Sequence, residues 1–505
     1  MRKRSHAPWL AVAVATVAFA VPAAAQKAKD ELRPIWRNVV PNVDSYYNGQ
    51  RDGIVFAHHV WDHLIERDPD TFTYKPGLAT EWKWVDEKTL DVQLRQDVKF
   101  HDGSAFGAED VAHTFNFVAD PANKALYQRN TNWIRTVEIL DGYKVRIHLH
   151  RPFPPAIDYL SMAMFVYSRN YKGPEEMNRR PMGTGPYRVV SLEQGKDYKF
   201  ERFTEHYAGS PKSGATIGRI HARTITDRAT ELAELLSGNA DLIWYVDADQ
   251  LPNIQRRKNL QILQAEAMRI GYLALDGAGR TGAGNPLTKQ KVRQAIAHAV
   301  DRESYVKNLV QGEARVIHAP CFPLQFGCDD SAAPRYAYDP GKAKRLLAEA
   351  GYPSGFKTQL FAYRVRDWTE AVQSDLKAVG IDAEVNMLPV ASYIQKFQKG
   401  ETPMAQGDWG SFSVNDASAV VSTFFKGSED DYARDPEVKA WLEVADNAPD
   451  QAVRKEHYRK AIGRIMEQAY WLPLHTFVTN YAYTADLEFR AYKDEIPRYW
   501  AYRWK

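Results

Sequence analysis

Only two cysteines occur in the 505 residues, Cys321 and Cys328, so neither a disulfide-dense scaffold nor a four-cysteine metal cluster can be built. No Gly-x-Ser-x-Gly, His-Glu-x-x-His or Gly-x4-Gly-Lys-Ser/Thr pattern is present. That removes the signatures of a hydrolase nucleophile elbow, a zinc protease and a phosphate-cradling loop. No apolar run reaches the about 20 residues that span a bilayer. Excess charge of one sign is missing too. The net charge of +3 comes entirely from Arg2, Lys3 and Arg4, and beyond residue 25 there are 63 residues of each sign. Neither nucleic acid nor an anionic membrane surface is therefore expected as a partner. No tandem repeat, low-complexity tract or polar linker divides the chain.

What is present begins with Arg2-Lys3-Arg4, an apolar run from Trp9 to Val21 and Ala23-Ala24-Ala25. This charged, apolar, small-residue order predicts a secretory signal peptide over 1–25, cleaved after Ala25, and an exported, periplasmic protein. Without a cysteine at Gln26, no lipid anchor is expected there. In an oxidising compartment Cys321 and Cys328, within a Pro- and Gly-containing stretch, are expected to pair as a structural disulfide.

The mature length calls for two or more domains. Leu90–Leu94, Val137–Leu140 and Val145–Leu149 read as strands, and Tyr187–Leu192 with Asp197–Phe203 as a hairpin. Later segments are helical. Thr288 is a candidate cap for a helix carrying Val292, Ala295, Ile296 and Ala299, and Asp339-Pro340 opens another that Gly351 stops. Thr369–Val379 predicts a third helix, ended by Gly380 and followed by a strand over Ile381–Val385; Glu456–Ala469 predicts a fourth. A helix feeding a strand twice argues for an α/β lobe.

Two weak chemical signals are set aside. Gly277-Ala278-Gly279-Arg280-Thr281-Gly282 matches a dinucleotide fingerprint, but Ala283-Gly284-Asn285-Pro286 follows where an apolar helix is required. His59 and His63 would share a face of a helix, beside His58, yet no third ligand is in view, so a buried structural pair is expected and no metal or cofactor. Aromatics are plentiful, with 13 Trp and 27 Tyr, and Tyr46, Tyr47, Trp133, Tyr363, Trp368 and Trp409 are placed near a ligand cleft. If Tyr363–Trp368 is extended, Arg364 and Arg366 project from one face and could converge on a carboxylate or phosphate.

Four ordered segments carry a family resemblance. They are Gly183-Thr184-Gly185-Pro186-Tyr187 with the following hairpin and His206-Tyr207-Ala208-Gly209; Lys99-Phe100-His101-Asp102-Gly103 with Ala108-Glu109-Asp110-Val111; Val292-Arg293-Gln294-Ala295-Ile296 through Ala299-Val300-Asp301-Arg302-Glu303; and Tyr338-Asp339-Pro340 through Gly351-Tyr352. Together they resemble the family 5 solute-binding proteins of ABC importers, the peptide, opine and nickel binders. The resemblance implies an α/β fold of two lobes, mixed sheets flanked by helices, a hinge between the lobes and an extra inserted domain. Lobe I is expected at 26–50, 181–270 and 470–505, the inserted domain at 51–180 and lobe II at 271–469. No catalysis is implied. The expected partners are a small peptide-like ligand and a membrane permease, and a monomer is expected.

Within this resemblance, Asp408-Trp409-Gly410-Ser411-Phe412 through Asp416 looks like the family's cleft loop, and Arg364 and Arg366 stand where the dipeptide binders place a carboxylate-binding arginine. In the peptide binders an aspartate of this loop anchors the ligand's ammonium. Here Phe412 occupies that position, Asp416 matches a later aspartate, Ala417 replaces the proline behind it, and Asp408 could take over the charge. Ligands with a blocked amine, opines and metal chelates are alternatives, and a secreted hydrolase on this fold is the alternative from another class.

Overall fold

The structure is a computed structural model, and residues 30–505 are described. The expected signal peptide and its cleavage site lie outside the described residues. Among the described residues no helix is long and apolar enough to cross a membrane.

The fold is mixed α/β, with its strands in several sheets. A five-stranded sheet combines Tyr187–Glu193 and Asp197–Arg202, the predicted hairpin, with Arg219–Thr224 and two short parallel strands, Glu31–Leu32 and Ile35–Trp36. A four-stranded antiparallel sheet combines Ala79–Asp86, Thr89–Leu94, Lys144–Leu149 and Ile134–Asp141. These two sheets share one continuous hydrophobic core, which also takes in the wholly buried helix Arg51–Val60. The segment 51–180 thus has its own sheet but no core of its own.

A second core lies around a six-stranded sheet in the order Leu242–Trp244, Trp471–Thr484, Leu260–Leu275, Met404–Trp409, Phe356–Ala362, Ile381–Met387. The two long members run antiparallel, from Leu260 opposite Thr484 to Ala274 opposite Trp471. Their residues Leu263 and Tyr481 pack on the first core, whereas Ile270–Leu275 and Trp471–Leu474 belong to the second. This ribbon therefore passes from one half of the molecule to the other. Its pairing register shifts between Ala267 and Ile270 and again between Gly271 and Tyr272. Bulges of this kind bend a strand and re-aim its side chains, and here they turn Arg269 towards the space between the halves.

The helix signals act as read at several ends. Asp339 accepts from Lys342 N at 2.8 Å with Pro340 at the first helical position, and the helix runs Pro340–Glu349. Gly351 and Gly380 have φ of +91° and +97°, a region glycine enters without the Cβ penalty. Thr288 is not a cap: Asn285 caps the short turn Pro286–Thr288, and the helix is Gln290–Ala299. The third helix starts three residues earlier than expected, at Arg366, and the fourth spans Gln451–Glu467. The glycine-rich loop after Leu275 is held by Asp276, whose carboxylate accepts from Arg280 N, Thr281 N and Thr281 Oγ1.

The residues that carry the resemblance are fasteners. A Cβ on Gly183 would stand 2.0 Å from Val60 O, and one on Gly185 2.7 Å from His59 O, so this chain segment can cross the end of the buried helix only as glycine. Buried Arg302 donates to the carbonyls of Ile317, Pro473 and Tyr336, and Arg293 to those of Leu287, Thr288 and Gln468. Cys321 and Cys328 are joined by a disulfide, with Cα atoms 5.8 Å apart.

Candidate functional site

A cavity of about 660 Å³ lies between the two halves, within the usual range of small-molecule sites. One wall comes from the first half, through Arg37, Asn38, Gln50, Arg51 and Tyr127; the other comes from Tyr272, Tyr363, Arg364, Tyr393, Phe397, Phe424 and the loop 408–412. Tyr245 and the ribbon residue Arg269 lie along it as well.

A buried chain of charges runs along one side. Arg51 approaches Glu495 at 3.3 Å, and Glu495 receives Arg269 through Nε and Nη2, both at 2.8 Å. Arg269 Nη1 donates to Asp408 Oδ1. Arg364 closes the chain in bidentate fashion, Nε to Asp408 Oδ2 at 2.5 Å and Nη2 to Oδ1 at 2.9 Å, and Tyr363 Oη donates to Oδ2 at 2.5 Å. Burial alone would raise the Asp408 carboxyl, but Arg364 and Arg269 outweigh it and hold the group below the ordinary carboxylate range. Burial and then the Asp408 charge push the Tyr363 phenol up, so it stays a neutral donor. At the other end Arg37 pairs with Glu231, whose carboxyl burial nevertheless raises to about 7.

The loop after Trp409 is strained. Ser411, Phe412 and Ser413 have φ of +52°, +49° and +62°, a left-handed conformation that costs a non-glycine residue about 1–2 kcal/mol. Bonds from the opposite half hold it there. Ser413 Oγ donates to Asp494 O at 2.6 Å and accepts from Arg51 Nη1 at 3.0 Å; Ser413 O accepts from Arg67 Nη2 at 2.6 Å; and Asn415 N donates to Asp158. Val414 is fully buried in the first core. Backbone strain over-determined in this way is common where a site must be pre-shaped. Gly410 is needed for closeness: a Cβ there would lie 2.6 Å from Arg51 Nη2 and 3.0 Å from Arg269 Nη2.

Of the residues expected near a ligand, Tyr363, Arg364, Asp408, Trp409, Gly410, Ser411 and Phe412 line this cavity. The others are elsewhere. Tyr46 is buried with its hydroxyl on Phe165 O, Tyr47 bonds Asn123 O, and Trp133 stacks on Phe153 and bonds Asn130 O. Trp368 packs against Tyr305, His475 and Phe477 and does not line this cavity. Arg366 opens a helix instead of extending a strand; its exposed side chain pairs with Glu370 at 3.2 Å, and it does not converge with Arg364. Asp416 is buried among Arg454 Nη2, at 2.7 Å, and Tyr458 Oη, at 3.1 Å.

Asp408 cannot take an ammonium ion where it stands, because both oxygens already accept from arginine and tyrosine. His59 receives Tyr499 N on Nε2 at 3.0 Å and contacts Val55 O through Nδ1; the helix ends at Val60, so His63 is off it and pairs with Glu66 instead. Among the described residues no group of three or more His, Cys, Asp or Glu is placed to hold a metal.

The sequence reading missed Arg51, Arg269, Glu495, Tyr127, Tyr245, Tyr272 and Tyr393. Arg269 had a usable signal, a single charge inside the apolar run Ala267–Leu275. Glu495 sits in a C-terminal loop and had none.

The family model for bacterial extracellular solute-binding proteins, family 5, matches residues 73–432. The chain belongs to that family. Among similar proteins, the heme-binding protein A of Haemophilus influenzae is 26% identical over 459 residues, covering 83% of this chain and 82% of the relative. The glutathione-binding protein GsiB of Escherichia coli K12 is 27% identical over 488 residues, covering 92% of each. The fold is that of the ABC transporter-associated periplasmic binding protein DppA from Helicobacter pylori, solved in complex with the peptide STSA (TM-score 0.83, 22% identity, 95% of this chain and 99% of that one). It is likewise that of a dipeptide-binding protein from Pseudoalteromonas sp. SM9913 solved with Met-Leu (TM-score 0.83, 22% identity, 94% and 100%).

Proposed function

We propose that this protein is the periplasmic substrate-binding component of an ABC importer, which captures a small peptide-like molecule in the cavity between its lobes and hands it to a membrane permease. The observation that carries the reading is the cavity itself, walled by arginines and aromatics from both halves and crossed by a two-stranded ribbon. The relatives named for glutathione and heme support a transported solute.

In this reading the lobes are drawn at 26–50, 181–270 and 470–505 for the first, with the insertion at 51–180, and at 271–469 for the second. The hinge is the pair of register shifts between Ala267 and Tyr272. Tyr245, Tyr363, Trp409 and Phe412 are among the aromatic residues that line the cavity and offer the solute apolar surface. Arg364 and its neighbours fix its polar end. Closure adds the contacts of Arg51, Arg67 and Asp158 with the strained loop, and a ligand that touches both walls shifts the equilibrium by its differential affinity for the closed form. No bond is made or broken. The protein acts as a monomer, with no nucleic acid or cofactor.

The test is a thermal-shift panel of short peptides, glutathione and heme on the mature protein, followed by calorimetry. One-to-one binding that raises Tm is expected, about 2.7 kcal/mol of stabilisation at a ligand concentration of 100 Kd. Hydrolysis of a panel member, or no shift with any of them, would overturn the reading.

A further inference from the structure

We propose that the solute is an anion without a free ammonium group: a peptide-sized acid whose amine is acylated or absent. This rests on the importer reading above and narrows its substrate class. Along the charged wall three guanidiniums, Arg51, Arg269 and Arg364, meet two carboxylates, Asp408 and Glu495. All four carboxylate oxygens are engaged: those of Asp408 by Arg269, Arg364 and Tyr363, and those of Glu495 by Arg51, Arg269 and Thr479. A ligand ammonium arriving at these two carboxylates finds surplus positive charge and no open oxygen on either of them.

Donors, in contrast, are left over. Arg364 uses Nε and Nη2 on Asp408, and among the described residues Nη1 has no hydrogen-bond partner; its side chain is 32% exposed and faces the cavity. Arg51, contributed by the first half and only 7% exposed, carries a buried Nε with no hydrogen-bond partner. A carboxylate placed here would complete the charge balance and take a charge-assisted bond from Arg364 Nη1, with Arg51 adding its charge from behind. The lining holds one further carboxylate, Asp430, which belongs to neither of these clusters. Phe412 and Tyr127 meet edge to face at 4.7 Å, so the loop that frames the arginines offers an aromatic edge instead of a further carboxylate.

The experiment uses the mature full chain and a mixed-sequence tripeptide library prepared in four forms: free, N-acetylated, C-amidated and both. Retained species are quantified by native mass spectrometry under competition. The N-acetylated acids are expected to be retained about tenfold more tightly than the free-amine acids, equivalent to 1.4 kcal/mol. Amidation of the acetylated peptides should remove that advantage, as should Arg364→Gln, with thermal unfolding reporting whether the variant is folded. Arg366→Ala, whose exposed side chain pairs with Glu370 away from the cavity, should leave the ranking unchanged. Preference for the free-amine acids would overturn the inference while leaving the importer reading intact. Equal retention of acids and amides would overturn the anionic assignment. Retention of no form would overturn the peptide-like reading itself, and this inference with it.

Discussion

Replacing Asp408 by asparagine keeps the shape of the charged wall but removes the charge that holds two arginines. At an effective dielectric of about 20, a carboxylate and a guanidinium roughly 4 Å apart attract by about 4 kcal/mol. Asp408 has two such partners, Arg269 and Arg364. Removing one partner of a buried ion pair typically costs about 3–5 kcal/mol, because the remaining charge stays desolvated. At about 2–4 °C per kcal/mol for a domain of this size, Asp408→Asn should lower the Tm of the second lobe by about 6–20 °C. Arg364 is partly exposed and can turn to water, which places the expectation towards the lower end. Scanning calorimetry of the ligand-free protein measures it. An anionic solute returns the missing charge, so the variant should gain more Tm from ligand than the parent does. The same pairing sets a pH dependence: a carboxyl held below its ordinary value of 3.8 contributes stability that is fully present above pH 4 and lost as the pH falls below it. A Tm within 2 °C of the parent, in a variant that still binds, would refute the view that this wall is a charge-balanced unit.

Gly410→Ala should weaken solute binding about tenfold or more (1.4 kcal/mol) and also lower Tm, since the added Cβ meets Arg51 Nη2 and Arg269 Nη2, both paired with buried Glu495; calorimetric titration and a thermal melt check it. Reducing the Cys321–Cys328 bond, or replacing both with serine, should cost about 2–3 kcal/mol by loop-closure entropy over so short a loop, seen as a lower denaturation midpoint with solute affinity retained. His59 is buried and held neutral, its pKa lowered to about 3 chiefly by burial. Because the unfolded chain binds that proton more readily, stability should fall progressively from about pH 6.5 towards pH 3, and His59→Gln should flatten that part of a stability–pH profile. Arg366→Ala should leave solute affinity unchanged, because its side chain is exposed and pairs with Glu370; a tenfold loss would return it to the site.

Local signals were legible where backbone geometry has few solutions. Asp339-Pro340 with Gly351, the hairpin from Tyr187 and the strands around Val92 and Val145 follow from capping, proline and alternation. Much of the cleft was legible in one place, the 408–412 loop and Tyr363–Arg364, because aromatic, charged and glycine residues were adjacent there. The rest was not, because the site is assembled by tertiary contacts that join Arg51, Arg269, Asp408 and Glu495 across more than 400 positions. Tyr46, Tyr47 and Trp133 share composition with cleft aromatics but satisfy their polar atoms on backbone carbonyls away from the cavity. Composition cannot separate those two uses. The three consecutive left-handed residues Ser411–Ser413 carry no glycine, so the strain that shapes the loop was invisible to turn rules.

The most direct test is native mass spectrometry of the mature chain after incubation with a pooled small-molecule extract, run beside Arg269→Ala and Arg364→Gln variants shown to be folded. A single small acidic adduct per chain, released on mild denaturation and lost from both variants, is the predicted result. An adduct retained equally by the parent and both variants, or none on any of them, would contradict the claim that this arginine-walled cavity is where the protein takes its cargo.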